Sequence, residues 1–343
     1  MRQSRAQWPA YSTNDPVSRL GSRVKISVVS PVYDSAQTLS ELLNSILEHS
    51  ADVADALEVI FVDDGSTDES WQTIRSLAEK HKNVKGIKLS RNFGQHAALT
   101  AGFEACTGDA VVVLDCDMQH DPRFIPNLVN KHCEGYDVVL ARTDKRRHPS
   151  FKNATARMFH RLFNFLLIDP QLRSEPNVTT FSLLSRKALD AVLSHREYHR
   201  HHLGLARLVG FPQAIITVEQ NYRKFGASGY STVKLVVHAL DALSSYSTRL
   251  LQLVVLTGAV ISVFSFLGVI AIIVGYFTIG FQSGWPSLIT AISFFFGVMI
   301  ASIGVLGLYI GKIFEQVKGR PLYIIEDMLG GEAALGDDRS TPD

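Results

Sequence analysis

Five runs of β-branched and aliphatic residues punctuate the N-terminal half of the chain. The first, VKISVVSPVYD at 24–34, leads into SAQTLSELLNSILEHS, which places Leu39, Leu42, Leu43, Ile46 and Leu47 on one helical face. The second, LEVIFVDDGSTDES, ends in acids, and Ser66 and Asp68 suit the cap of a helix over about 70–82. VKGIKLS, DAVVVLDCD and YDVVLART supply the third to fifth strands, with HAALTAGFEACTG helical after the third. Continuous apolar strands alternating with helices predict an α/β domain whose mostly parallel sheet is covered on both faces. Such sheets bind ligands at the carboxyl ends of their strands. Pro31, Asp63, Asp64, Ser90, Arg91, Asp115 and Asp117 all fall at such ends.

A second hydrophobic pattern occupies the other end. From Leu250 to Gly311 there is no Asp, Glu, Lys, Arg or His, in a chain that is 20% charged. GFQSGWPS at 280–287 breaks the run into segments at 250–278 and 287–311. Each exceeds the roughly 20 residues that a membrane helix needs, and neither shows the polar face of a water-soluble helix. Arg249 precedes the pair, and Lys312, Lys318 and Arg320 follow it. The positive-inside rule then puts both termini, and the domain at 23–230, in the cytoplasm. Residues 1–22 read as a disordered tail, 231–249 as an interfacial helix and 312–343 as a cytoplasmic C-terminal tail.

Composition adds exclusions. Net charge is +1, so no bulk field argues for nucleic acid. Cys106, Cys116 and Cys133 lack C-x-x-C spacing, which suits a reducing compartment and excludes a disulfide scaffold. No G-x-G-x-x-G follows a strand and no G-x-x-x-x-G-K-[ST] exists, so the dinucleotide and P-loop readings fall away. A phosphatase-type D-x-D belongs on a first strand, and here the pair sits on the fourth. Two carboxylates at a hydrophobic strand tip are costly unless paired or metal-bound. Spacing alone leaves Asp115 and Asp117 equally a solvated turn or a cation site.

SPVYDSAQTLSELLNSI, VIFVDDGSTDES, LSRNFGQHAALTAGF and VVVLDCDMQHDPRFIPNLV resemble, in order, the motifs of inverting GT-A glycosyltransferases of family 2. FKNATARMFHRLFNFL, FSLLSRKAL and YRKFGASGYSTVKLVVHALDALSSYS resemble the polyprenyl-phosphate sugar transferases, a branch that often carries two C-terminal membrane helices. The resemblance covers about residues 24–325. It implies a GT-A nucleotide-diphospho-sugar transferase domain, a nucleotide-diphosphate sugar donor (UDP-linked in the favoured version), and Mg²⁺ or Mn²⁺. By motif, Pro31, Tyr33, Asp63 and Asp64 hold base and ribose, and Arg91 lies near the nucleotide. Asp115 and Asp117 form the metal-binding D-x-D, Asp117 being the favoured direct ligand, with Gln119 completing the match.

The chemistry agrees: a hard cation needs only one or two protein carboxylates beside substrate phosphates, and it neutralises a departing diphosphate. An acceptor phosphate needs cations, and Arg146, Arg147, Lys152, Arg186, Arg223 and Lys234 are the candidates. Residues 151–168 read as a basic amphipathic helix able to lie in the headgroup layer. The four histidines of HREYHRHH at 195–202 read as a sugar- or headgroup-facing segment in preference to a metal site. One departure stands out. Many relatives carry Asp-Phe-Arg where this chain has Thr180, Phe181 and Ser182, so a candidate base is missing. A phosphate monoester is already ionised near pH 7, so the expectation is an enzyme without that base, or one using His120 or Asp121. The expected partners are therefore the nucleotide sugar, polyprenyl phosphate and the bilayer of a bacterial inner membrane, with room for a homo-oligomer. A transferase with another lipid acceptor, or a catalytically impaired membrane scaffold, stays open.

Overall fold

The computed structural model describes residues 24–143, 177–195, 197, 200–219, 249–278 and 284–330. The elements in chain order are β1 (Val24–Val32), α1 (Ala36–Ser50), β2 (Ala54–Asp63), α2 (Ser70–Lys80), β3 (Val84–Leu89), α3 (Gln95–Ala105), β4 (Ala110–Val113), α4 (Ile125–Cys133) and β5 (Val138–Thr143). They continue with β6 (Val178–Ser185), α5 (Arg186–Ser194), α6 (His202–Leu208), β7 (Gln213–Val218), α7 (Arg249–Thr278), α8 (Trp285–Val317) and β8 (Ile325–Leu329).

One eight-stranded sheet runs in the order β7-β5-β6-β4-β1-β2-β3-β8. The block β4-β1-β2-β3 is parallel, as the continuous apolar strands predict. β5 and β7 also pair in parallel, while β6 and β8 run antiparallel to their neighbours. Pro31 is tolerated in a central strand because β1 pairs with β4 only over Ile26–Val29. Alternate residues of β1 feed opposite cores: Ile26, Val28 and Val32 face the cluster under α1, α2 and α4, and Val29 faces the one under α3, α5 and α6. Leu39, Leu42, Leu43 and Ile46 are fully buried, as the helical face of α1 requires, and Leu47 packs at the margin. Helix α3 settles onto β1 and β2 at Gly102, where a Cβ would lie 2.3 Å from Val29 Cγ1.

Two features differ from the sequence reading. β6 enters between β4 and β5, so the sheet is mixed on that side. The stretch 312–343 is not simply a tail, because its residues Ile325–Leu329 form the edge strand β8 on β3. The proposed segments 1–22, 151–168 and 231–248 lie outside the described residues.

Helices α7 and α8 are each long and apolar enough to cross a membrane, and among the described residues none in either apolar window is buried. Val255, Phe264 and Phe277 stand 67%, 71% and 81% exposed, which a soluble core helix would not allow.

Candidate active site

The carboxyl ends of β1, β2, β3 and β4 form one rim. The loops after β1 and β2 are laced together there. Asp34, held at a left-handed φ of 45°, accepts from Thr67 N at 2.7 Å and donates its own N–H to Ser66 Oγ at 3.0 Å. Ala36 N donates to Asp68 Oδ2 at 3.1 Å. Tyr33 projects from this loop and is exposed.

Asp63 and Asp64 are both buried, yet they do different things. Asp63 Oδ1 accepts from Ser66 N at 3.3 Å, while its Oδ2 is buried with no hydrogen-bond partner among the described residues. Asp64 accepts from Phe93 N at 2.7 Å and Gly94 N at 2.8 Å, which fixes the loop entering α3. Burial pushes both carboxyls above the usual range. The orphaned oxygen of Asp63 points to a polar ligand, whereas Asp64 serves the loop that carries Arg91. The two acids expected at base and ribose thus stand in different surroundings on the same rim. Gly65, at φ 68°, lets Arg91 and Asn92 pass: a Cβ there would lie 2.5 Å from the Arg91 carbonyl carbon. Arg91 sits on the rim with its guanidinium 4.0 Å from the Phe93 ring centroid.

The D-x-D turn follows β4. Thr38 Oγ1 donates to Cys116 O at 2.7 Å, tying the turn to α1. Asp117 Oδ1 accepts from Gln119 N at 3.1 Å. Met118 between them is buried at a left-handed φ of 59°, a strained geometry for a side chain of that size. Asp115 accepts from Gln95 Nε2 at 2.7 Å through Oδ1 and from the Thr180 hydroxyl through Oδ2. Gln95 is missing from the sequence reading, although its place at the first turn of α3, directly after the β3 rim loop, was a usable signal.

The donor set suits a hard cation only in part by itself. Among the described residues no three His, Cys, Asp or Glu side chains converge on a metal position. Two carboxylates at a strand tip are nevertheless what Mg²⁺ or Mn²⁺ uses when diphosphate oxygens complete the shell. The residues therefore fit that group.

Three expectations need correction or relocation. Arg186 cannot serve the rim, because β6 runs antiparallel to β4 and delivers it to the far end of the sheet, beside Ala110. Its guanidinium there donates to Gly108 O at 2.6 Å and Cys106 O at 3.0 Å. Asp121 is no ready base: it caps the turn Pro122–Phe124, accepting from Arg123 N at 3.0 Å and pairing with Arg123 Nε at 3.5 Å. His120 is buried, its ring stacked 5.8 Å from Phe181, and burial depresses its pKa. Arg146, Arg147, Lys152, Arg223 and Lys234 lie outside the described residues.

Behind the rim, His96 on α3 packs against His201 and His202 at the start of α6, with centroids 4.7 and 5.8 Å away. Burial is the largest cause depressing the pKa of His201 and His202, with Arg207 adding to it for the first and the neighbouring histidines for the second. The folded chain resists these protons while the unfolded chain accepts them near pH 6.5. Stability is therefore full above about pH 6.5 and falls as pH drops below it toward the folded-state values. Thermal midpoints measured from pH 7.5 to 5 are expected to drop on the acid side, and His202→Gln is expected to flatten that slope.

The chain is similar to a known family and to several known proteins. The family description "Glycosyl transferase family 2" matches residues 27–193. An uncharacterized glycosyltransferase of Synechocystis sp. is 33% identical over 90% of this chain and 97% of its own length. The SfII prophage-derived bactoprenol glucosyl transferase of Shigella flexneri is 33% identical over 88% and 98%. The undecaprenyl-phosphate 4-deoxy-4-formamido-L-arabinose transferase of Proteus mirabilis is 34% identical over 89% and 94%. Among solved structures, a glucosyl-3-phosphoglycerate synthase of Mycobacterium tuberculosis, in complex with Mn²⁺, UDP and phosphoglyceric acid, superposes with a TM-score of 0.49 at 19% identity, covering 71% of this chain and 84% of that one. A mixed, mostly parallel α/β sheet with an acid pair at the tip of β4, on a chain this similar over nine-tenths of its length, makes the protein a glycosyltransferase, a member of family 2 with the GT-A fold.

Proposed function

We propose that the enzyme is an inverting transferase of a bacterial inner membrane, moving one sugar from a nucleotide-diphosphate donor, UDP-linked by preference, to polyprenyl phosphate on the cytoplasmic face. The observation that carries this reading is the path of the chain between α8 and the rim. Helix α8 ends at Val317 and β8 begins at Ile325, with Ile324 O accepting from Ser90 N at 2.9 Å beside Arg91. The connecting residues 318–324 reach at most about 25 Å when extended. The proposed catalytic rim is thus leashed to the C-terminal end of an exposed apolar helix, which supports a site within reach of a lipid headgroup. The bactoprenol and undecaprenyl-phosphate acceptors named for the relatives are of that kind.

The chemistry needs no general base. Near pH 7 the acceptor monoester carries about 1.5–2 negative charges. One of its oxygens forms the bond to the anomeric carbon from the face opposite the diphosphate. The C–O bond to the diphosphate breaks, and its electron pair leaves with the nucleoside diphosphate. No proton has to move. Asp63 offers its unpartnered oxygen to the donor's hydroxyls, and Arg91 stands near the nucleotide. Asp117, beside Asp115, would hold a divalent cation that supplies charge neutralisation for the leaving diphosphate.

The test is direct. Purified protein is incubated with undecaprenyl phosphate and a panel of nucleotide sugars, with and without chelator, and the lipid is analysed by mass spectrometry. A glycosyl-phospholipid from one donor, lost on chelation, is the expected result. No product from any donor would return the field to the scaffold reading. Product formed only when diacylglycerol replaces undecaprenyl phosphate in a parallel incubation would select the other lipid acceptor.

A further inference from the structure

The backbone register places an uncharged residue against the acid pair. β4 and β6 pair antiparallel with Val113 opposite Ser182, Val112 opposite Leu183 and Val111 opposite Leu184. Continued two residues past the end of β4, that register sets Thr180 opposite Asp115. The side chains meet accordingly: the Thr180 hydroxyl donates to Asp115 Oδ2. From the other side, Gln95 at the first position of α3 donates its amide to Oδ1 at 2.7 Å. Thr180 is itself held, since Ser182 Oγ donates to its carbonyl at 2.9 Å. Phe181 beside it is fully buried and stacks on His120, three residues beyond Asp117.

From this we infer that Thr180 and Gln95 are positioning residues, a two-armed clamp that fixes the Asp115 carboxylate and with it the geometry of the acid pair. The physical reason is twofold. A carboxylate at a strand tip rotates about two side-chain bonds, and one donor on each oxygen removes that freedom before any ligand arrives. Both arms are neutral donors, so they orient the acid without cancelling the negative charge that a cation requires. The inference rests on the proposed donor-and-metal reading only for its functional consequence; the clamp itself is a property of the folded chain.

Two measurements separate these. The first uses Mn²⁺ with UDP as the probe, followed by electron paramagnetic resonance on the full-length protein in detergent. Thr180→Val keeps the branched shape and removes the hydroxyl, and it is expected to weaken Mn²⁺ binding roughly tenfold. Thr180→Ser restores the donor and is expected to recover most of that loss. Equal Mn²⁺ affinity in the Val, Ser and parent proteins overturns the clamp's bearing on the metal. A parent protein that binds no Mn²⁺ in the presence of UDP overturns the metal reading instead. The second measurement needs no ligand. In a thermal double-mutant cycle, Thr180→Val should lower the midpoint by about 3 °C in the parent and by much less beside Asp115→Ala. Additive effects in that cycle overturn the clamp whatever the metal does.

Discussion

Asp117→Asn is expected to cut sugar transfer to undecaprenyl phosphate by about a thousandfold, with thermal stability nearly unchanged. The two halves of that expectation have separate origins. Asn retains an oxygen in the place of Asp117 Oδ1, so the bond from Gln119 N at 3.1 Å survives and the left-handed turn at Met118 keeps its support. What disappears is one full negative charge at the tip of β4. Stabilising the charge that develops on a leaving diphosphate is worth several kcal/mol, and one lost contributor costs on the order of 10²–10³ in turnover. Losing the cation itself lies at the upper end. Steady-state transfer measured across a Mn²⁺ titration checks this, with the thermal midpoint as control. A variant that turns over like its parent, or a parent that keeps its rate under chelation, would remove the acid pair from the chemistry.

The acid pair was legible because its signal is local. An apolar run that ends in D-x-D is visible in nine residues, and parallel topology sends such ends to one rim. The same argument found Asp63, Asp64 and Arg91. It could not divide their labour. Asp63 closes β2 and leaves one oxygen buried without a partner, while Asp64, one residue on, turns to the amides of Phe93 and Gly94. That division depends on where another loop passes, which is tertiary information.

Arg186 shows the opposite failure. An arginine next to a strand in a phosphate-handling protein invites a phosphate role, but the direction of its strand decides which end of the sheet it reaches. β6 pairs with β4 across 64 intervening residues, from Val113 to Val178, and nothing in FSLLS announces that it runs antiparallel. Once the direction is known, the absent base at 180 reads differently too: the position faces Asp115, and Thr supplies a donor there. β8 was hidden for a different reason. Glu326 and Asp327 give it the charged look of a solvated segment, yet an edge strand tolerates charge, and both acids find cations, one on β3 and one on α2. Lys88 Nζ lies 2.8 Å from Glu326, and Arg75 Nη2 lies 3.1 Å from Asp327.

Ending the chain after Arg320 is expected to destabilise the protein by about 3 kcal/mol and to lower lipid transfer at least tenfold. The stability term follows from what β8 covers. It completes the β3 edge, packs Leu329 against the core beside Gly86, and brings the Tyr323 hydroxyl to Glu104. Burial and that carboxylate hold the phenol protonated. Several net backbone hydrogen bonds of about 1 kcal/mol each, plus partly buried aliphatic side chains, reach the stated sum. The transfer term has a separate cause, the leash between α8 and the rim. Inserting ten Gly/Ser residues between Gly319 and Arg320 isolates it, because β8 keeps its register while its tether lengthens. That variant should melt with its parent and bind UDP equally well, yet transfer more slowly to undecaprenyl phosphate in vesicles, since the local concentration of a tethered site falls as its linker grows beyond the span. Unchanged transfer after the insertion would mean that β8 closes a sheet edge and nothing more, and would remove the tether from the account of how the rim meets its acceptor.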